Sequence, residues 1–287
     1  MLRVRKGQLD NYLMKRFADT KLDELDLIEY EEWRLTLPLA NSTKNGITVT
    51  MKQILNEAIR EKVISKNPLQ QVDSLSKVSE KPRDSLTVDE MKKIFPIDNK
   101  AALKIWSNQK YHTLLFLIVS SGMRSGEVRA LKWDDIMWDD SGILITKAVK
   151  NTGAIGTVKE KKEKFVRVPN RTIQLLQLWK DESLATSDSD FIFYGKDIDR
   201  PIDKRTILDN FKRGMERAEV GEGRNLLVHS LRHTFNSYLL SVLPSEVVRK
   251  FTGHSSEQMT KHYYHPLLKE ELKATEGYQD KIDSVWK

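Results

Sequence analysis

The stretch LLFLIVS, Leu114 to Ser120, has no polar face. A helix that is apolar all round has to be surrounded on every side. It is also far too short to cross a bilayer, which takes about 20 residues. The chain is therefore expected to build a domain around this one buried helix. Gly122 ends the helix, since glycine serves at that position, and Glu127 to Leu131 opens another. Arg124 then sits on a tight turn between two packed helices. A guanidinium at a helix start suits a phosphate. It suits a structural pair with Glu127 equally well, and Arg124 alone does not separate the two.

The chain has 287 residues, enough for two domains or one large one. It has no cysteine, which excludes disulfides, thiolate metal sites and cysteine nucleophiles. The segment MLRVRKGQLDNYL has no apolar core of the kind a secretory leader needs, so a cytoplasmic protein, in the bacterial nucleoid or host cytoplasm, is expected. Forty-eight basic residues against 41 acids give a net charge of +7, a balance that favours an anionic partner. Lys147 to Arg171 concentrates it, with eight basic residues and two acids; Asp19 to Glu32 instead carries seven acids. The plain alternative for the basic run is a solvated hairpin.

Residues 1–75 read as helical. An acidic helix is expected around Leu25 to Leu37. A second is capped by Thr43, with Ile47, Met51, Ile54, Leu55 and Ala58 on one face and Lys44, Lys52 and Arg60 off it. It should end near Ser65-Lys66-Asn67-Pro68. Residues 76–85 are polar and read as a linker. Thr87 and Glu90 then match a capping box, and a second domain, 86–287, begins. In it Gly142 to Lys150 and Lys164 to Val168 read as strands, with a short strand or a loop between them. Helices are expected over Thr172 to Trp179, Thr206 to Ala218 and Leu226 to Leu240, and again near the C-terminus. The fold class is mainly α with a small antiparallel β-sheet.

Two further clusters carry chemistry. In HSLRHTF, His229 to Phe235, His229 and Arg232 share a helix face. His229 and His233 have zinc-ligand spacing, but the HExxH pattern is absent and Arg232 beside a metal would repel it. The stretch FTGHSSEQMTKHYYH, Phe251 to His265, holds three histidines and two adjacent tyrosines. Taken singly, each histidine is more often structural and each tyrosine more often core. Together, two arginines, two histidines, a lysine and a tyrosine form a metal-free set for phosphoryl transfer. Arginine forks fit the oxygens of a phosphodiester. Tyrosine can attack phosphorus once helped to lose its proton, and a lysine or histidine can protonate the leaving oxygen. No cofactor is implied.

The order of SGMRSGEVRAL, then a basic hairpin, HSLRHTF and TGHSSEQMTKHYYH resembles the tyrosine recombinases, the phage integrase family. The resemblance covers Thr87 to His265 well and the N-terminal helices loosely, as a core-type DNA-binding domain ending at Asn67-Pro68. It implies an α+β catalytic domain, a clamp around duplex DNA and four protomers assembled on two sites, bridged by the C-terminal helix. No separate arm-binding domain is expected ahead of the helices, and the first of them reads as shortened. Accessory DNA-bending or directionality proteins are compatible with the family; a membrane is not implied.

Residue by residue, the resemblance implies that Arg124 and Arg232 clamp the scissile phosphate. His229 handles protons, His254 hydrogen-bonds the phosphate and Glu127 buttresses an arginine. The family tyrosine lies nine residues after the glycine–histidine motif's histidine and two before another. Tyr263 meets both spacings, with His254 and His265, and Tyr264 meets neither. Neighbours on a helix point about 100° apart, so only one of them can reach a given phosphorus. The family lysine, eight residues before a strand-ending proline, falls on Lys161, with Lys159 and Lys162 as close rivals. The expected activity is site-specific recombination through a 3′-phosphotyrosyl link. The alternatives are a non-catalytic DNA-binding regulator derived from an integrase and type IB topoisomerase-like strand relaxation.

Overall fold

The structure is a computed structural model that describes residues 2–76, 85–157 and 163–242. The chain divides into two compact units, Met1–Pro82 and Arg83–Lys287. The expected linker falls largely outside the described residues, as does the expected C-terminal helix.

The first unit is helical. Helix α1 (Leu2–Gln8) runs through a π-helical turn (Leu9–Leu13) into α2 (Met14–Phe17), followed by α3 (Leu27–Thr36) and α4 (Asn41–Arg60). Asp26 caps α3, accepting from the Glu29 N–H at 2.9 Å. Phe17, Tyr30 and Trp33 pack ring against ring beside Ile47, Met51 and Leu55. This is the stripe expected on α4.

The ends of α4 differ from expectation. It begins at Asn41, not after Thr43, because the Ala40 carbonyl already accepts from Thr43 and Lys44 at 2.9 and 3.0 Å. It ends at Arg60, well before Pro68. Lys62 takes a left-handed conformation (φ 61°), and the Val63 and Lys62 N–H groups turn back to the Ala58 and Ile59 carbonyls. That is a Schellman ending with lysine where glycine is usual, so no glycine signals it. The lysines expected off the apolar stripe turn inward: Lys44 is buried and donates to the Leu35 carbonyl at 2.9 Å. Lys52 donates to the Gln70 and Val72 carbonyls.

In the second unit, Thr87 and Glu90 form the expected capping box at the start of α5 (Val88–Ile94). Helices α6 (Asn99–Trp106), α7 (Gln109–Ser121) and α8 (Ser125–Ala130) follow. Strands come next: β1 (Ile136–Met137), β2 (Gly142–Ile145), β3 (Lys147–Val149), β4 (Ile155–Thr157) and β5 (Lys164–Arg167). Helices α9 (Asn170–Glu182), α10 (Lys204–Arg217) and α11 (Val228–Val242) complete the described part. The architecture is mainly α with small antiparallel sheets.

Helix α7 is the central element, touching α6, α8, α9, α10 and α11, and Leu114 to Val119 are buried without exception. Two of its buried hydroxyls are met by α9: Thr113 donates to the Leu175 carbonyl at 3.1 Å and Ser120 pairs with Thr172 at 3.0 Å; Ser121 instead donates back to the Leu117 carbonyl. Three core tryptophans, Trp106, Trp133 and Trp179, each donate from the indole to a backbone carbonyl at 2.7 Å.

The strand expected over Gly142 to Lys150 is broken at Thr146. β2 pairs antiparallel with β1 and β5, whereas β3 pairs with β4 as a separate ribbon. Alternation of side chains says nothing about a change of partner, so the sequence could not reveal the break.

Candidate functional site

The site is built on the turn between α7 and α8. Gly122 closes α7 in the left-handed region (φ 64°, ψ 15°), its N–H bonded to the Ile118 carbonyl. Met123 inserts into the core, and Arg124 is extended at the entrance of α8. Glu127 holds that entrance with both carboxylate oxygens. One accepts from the Arg124 backbone N–H at 2.7 Å, the other from its Nη1 at 2.9 Å. The Glu127 side chain is 8% exposed and that of Arg124 is 42% exposed. The arginine is thus anchored on its buried side and open to solvent on the other.

Arg232 reaches the same turn from α11, a helix that begins more than a hundred residues later. It is 3% exposed, and its Nη1 donates to the Gly122 carbonyl. Its pKa is held below the usual guanidinium value, first by burial and then by the Arg124 cation, with Glu127 opposing. Two guanidinium groups and one carboxylate therefore share a partly dry corner. A second anion would relieve the excess charge.

His229 is exposed one helical turn before Arg232, and its ring meets that of His233 edge-to-face at 4.6 Å. Among the described residues no three of His, Cys, Asp or Glu are grouped as a metal would need.

The β3–β4 ribbon is docked on this turn. A Cβ on Gly126 would fall 2.6 Å from the Val149 carbonyl oxygen, so α8 and β3 touch backbone to backbone at a distance only glycine permits. The chain leaving β4 enters residues 158–162. Lys159, Lys161 and Lys162 all lie there, outside the described residues. His254, Tyr263, Tyr264 and His265 are likewise outside the described residues.

The structure thus brings together Arg124, Glu127 and Arg232, with His229 one turn before Arg232 on the same helix. It also removes one basic residue from the expected patch. Arg171 donates to the Phe95 and Pro96 carbonyls and stacks on Phe116 at 4.6 Å, and burial lowers its pKa. Sequence reasoning missed the role of Gly122 as the acceptor for Arg232. The glycine was legible as a helix stop, but nothing local names the side chain its carbonyl will meet.

The phage integrase family model matches residues 84–270. The chain is 23% identical over 271 residues to a XerC-like tyrosine recombinase of Caldanaerobacter subterraneus, covering 84% of this chain and 66% of that protein. It is 25% identical over 169 residues to the tyrosine recombinase XerC of Neisseria gonorrhoeae, covering 58% and 50%. A third relative, transposase B of transposon Tn554 from Staphylococcus aureus, is 27% identical over 159 residues, covering 53% of this chain and 24% of its own length. The chain thus spans from about a quarter to two thirds of these relatives. Among solved structures, the Tn1549 transposon integrase in complex with transposon right end DNA has a similar fold. Its TM-score is 0.72 at 19% identity, over 94% of this chain and 92% of that one. A lambda integrase tetramer bound to a Holliday junction gives 0.67 at 18% identity, over 91% and 74%.

Proposed function

This chain belongs to the phage integrase family, and from that premise we propose that it is a site-specific DNA recombinase. It cleaves and rejoins strands through a 3′-phosphotyrosyl intermediate in the integration or excision of a mobile element. The observation that carries the reading is the convergence of Arg124 and Arg232 on one turn, with Glu127 the carboxylate between them. Such a corner suits a phosphodiester, whose non-bridging oxygens accept from both forks.

The roles follow from the chemistry. Arg124 and Arg232 hold the scissile phosphate and stabilise the charge on its oxygens as the phosphorus becomes five-coordinate. His254 adds a hydrogen bond to the same oxygens. The Tyr263 hydroxyl oxygen forms a bond to phosphorus while the bond to the 5′ oxygen breaks. The phenol proton passes to a base, for which His229 is nearest in role. The departing 5′ oxygen takes a proton from the hairpin lysine, Lys161 or its neighbour Lys159 or Lys162. The freed 5′ hydroxyl of a partner strand then attacks the tyrosyl ester and restores a phosphodiester. One ester replaces another, so the exchange needs no external energy source.

The partner is duplex DNA at specific sites. The Tn1549 integrase solved with transposon DNA and the lambda integrase tetramer solved on a Holliday junction support that partner class and a tetrameric assembly. The segment after His265 is our candidate for the bridge between protomers.

The test is a covalent trap. Nicked duplexes carrying candidate sites are incubated in EDTA with wild type, Tyr263→Phe and Tyr264→Phe, then run on a denaturing gel. A protein–DNA band lost only in Tyr263→Phe is expected. Loss with Tyr264→Phe instead would reassign the nucleophile. No band on a DNA that the protein binds would leave a DNA-binding regulator as the better reading.

A further inference from the structure

Phe235 lies three residues beyond Arg232 and so shares its face of α11. Both side chains end on the same glycine. Arg232 donates to the Gly122 carbonyl, while the Phe235 ring lies against the Gly122 α carbon. A Cβ built there would fall 2.3 Å from Phe235 Cδ1 and 2.8 Å from Cε1. Phe235 is 7% exposed, yet among the described residues it stands outside the contiguous apolar core of its unit. Its ring packs on the turn that carries Arg124. On the other side of that turn, Met123 is fixed in the core.

This arrangement answers a physical difficulty. Arg124 and Arg232 are like charges whose mutual effect already lowers the Arg232 pKa. Left to themselves they would drift apart until an anion arrived. A two-point attachment of α11 to one peptide unit fixes both the position and the tilt of the turn.

We propose that Phe235 is a positioning residue for phosphate activation: its ring, seated on Gly122, sets the spacing of Arg124 and Arg232 before DNA binds. The proposal rests on the recombinase reading above. It predicts that removing the ring slows strand cleavage rather than DNA binding. Many phosphate contacts share the binding, whereas cleavage depends on placement, and a shift of about 1 Å costs on the order of 100-fold in rate.

The probe is a pool of nicked duplexes of randomised sequence, from which wild type selects a covalently trapped substrate. Single-turnover cleavage of that duplex, its Kd and the melting temperature are then measured for five variants. These are Phe235→Ala, Phe235→Leu, Gly122→Ala, the Gly122→Ala/Phe235→Ala double variant and Leu176→Ala, a buried α9 control. Cleavage should fall about 100-fold in both Phe235 variants, with Kd within about twofold of wild type. Leucine should restore stability but not rate, and the Leu176→Ala rate should stay near wild type. The double variant should lose much less than the product of its single losses, because removing the ring makes room for the methyl. Multiplicative losses, a wild-type rate in Phe235→Leu, or rates that follow melting temperature across the set would overturn the proposal alone. A wild type that traps no duplex would overturn the recombinase reading and this proposal with it.

Discussion

Acidification should destabilise the second unit through one imidazole. His112, on α7, is fully buried, stacked on Phe95 and edge-on to Phe116. The Asn99 amide donates to the Gln109 side-chain oxygen at 2.9 Å, which leaves its own oxygen, 3.1 Å from His112 Nδ1, as an acceptor. The neutral ring therefore carries its proton on Nδ1. Among the described residues its Nε2 has no hydrogen-bond partner, so a second proton would sit as a bare charge. Burial, and then the nearby Arg171 cation, hold the His112 pKa down to about 3 from the usual 6.5.

The sign follows from linkage. The unfolded chain takes up a proton near pH 6.5 while the folded chain stays neutral until about pH 3. The stabilisation is complete above pH 6.5 and is lost progressively as the pH falls toward 3. Each pH unit in that window costs about 1.4 kcal/mol, so the loss is about 2 kcal/mol at pH 5. For a domain of this size that lowers Tm by about 4–8 °C. Wild type and His112→Gln are compared by thermal melting at pH 7.5 and pH 5. Other titrations cancel in the difference between the two proteins. The drop on acidification should be larger in wild type by about 2 kcal/mol. Equal drops, or a folded-state imidazole resonance for His112 titrating near pH 6.5, would refute the reasoning.

Two substitutions test other parts of the structure. Glu127→Gln removes the charge that offsets Arg124 and Arg232. Because Arg124 is partly solvated, the stability loss should be only about 1–2 kcal/mol, read by denaturant unfolding, while single-turnover cleavage falls by a larger factor. Lys44→Met leaves the Leu35 carbonyl without its charged donor and should destabilise the first unit by about 1–3 kcal/mol, with the melting of the second unit unchanged.

What the sequence by itself determined was written at short range. The capping box of Thr87 and Glu90, the stop at Gly122 and the all-apolar face of Leu114 to Val119 are i to i+4 chemistry, and the structure follows them. The order of arginine, histidine and tyrosine motifs was legible because each motif is local. The family it implied is the one whose model matches the chain.

Only the tertiary structure decided where long cations end. Lys44 and Arg171 read as surface charge, yet each turns inward to donate to main-chain carbonyls. The break at Thr146 was hidden because strand alternation is the same whichever strand lies alongside. The meeting of Arg232 with Gly122, 110 residues apart, depends on how α11 packs on α7, which no local pattern encodes. A flexible side chain samples every carbonyl within its reach. Which of those carbonyls is close is set by the packing of the helices, not by the residues beside it in the chain.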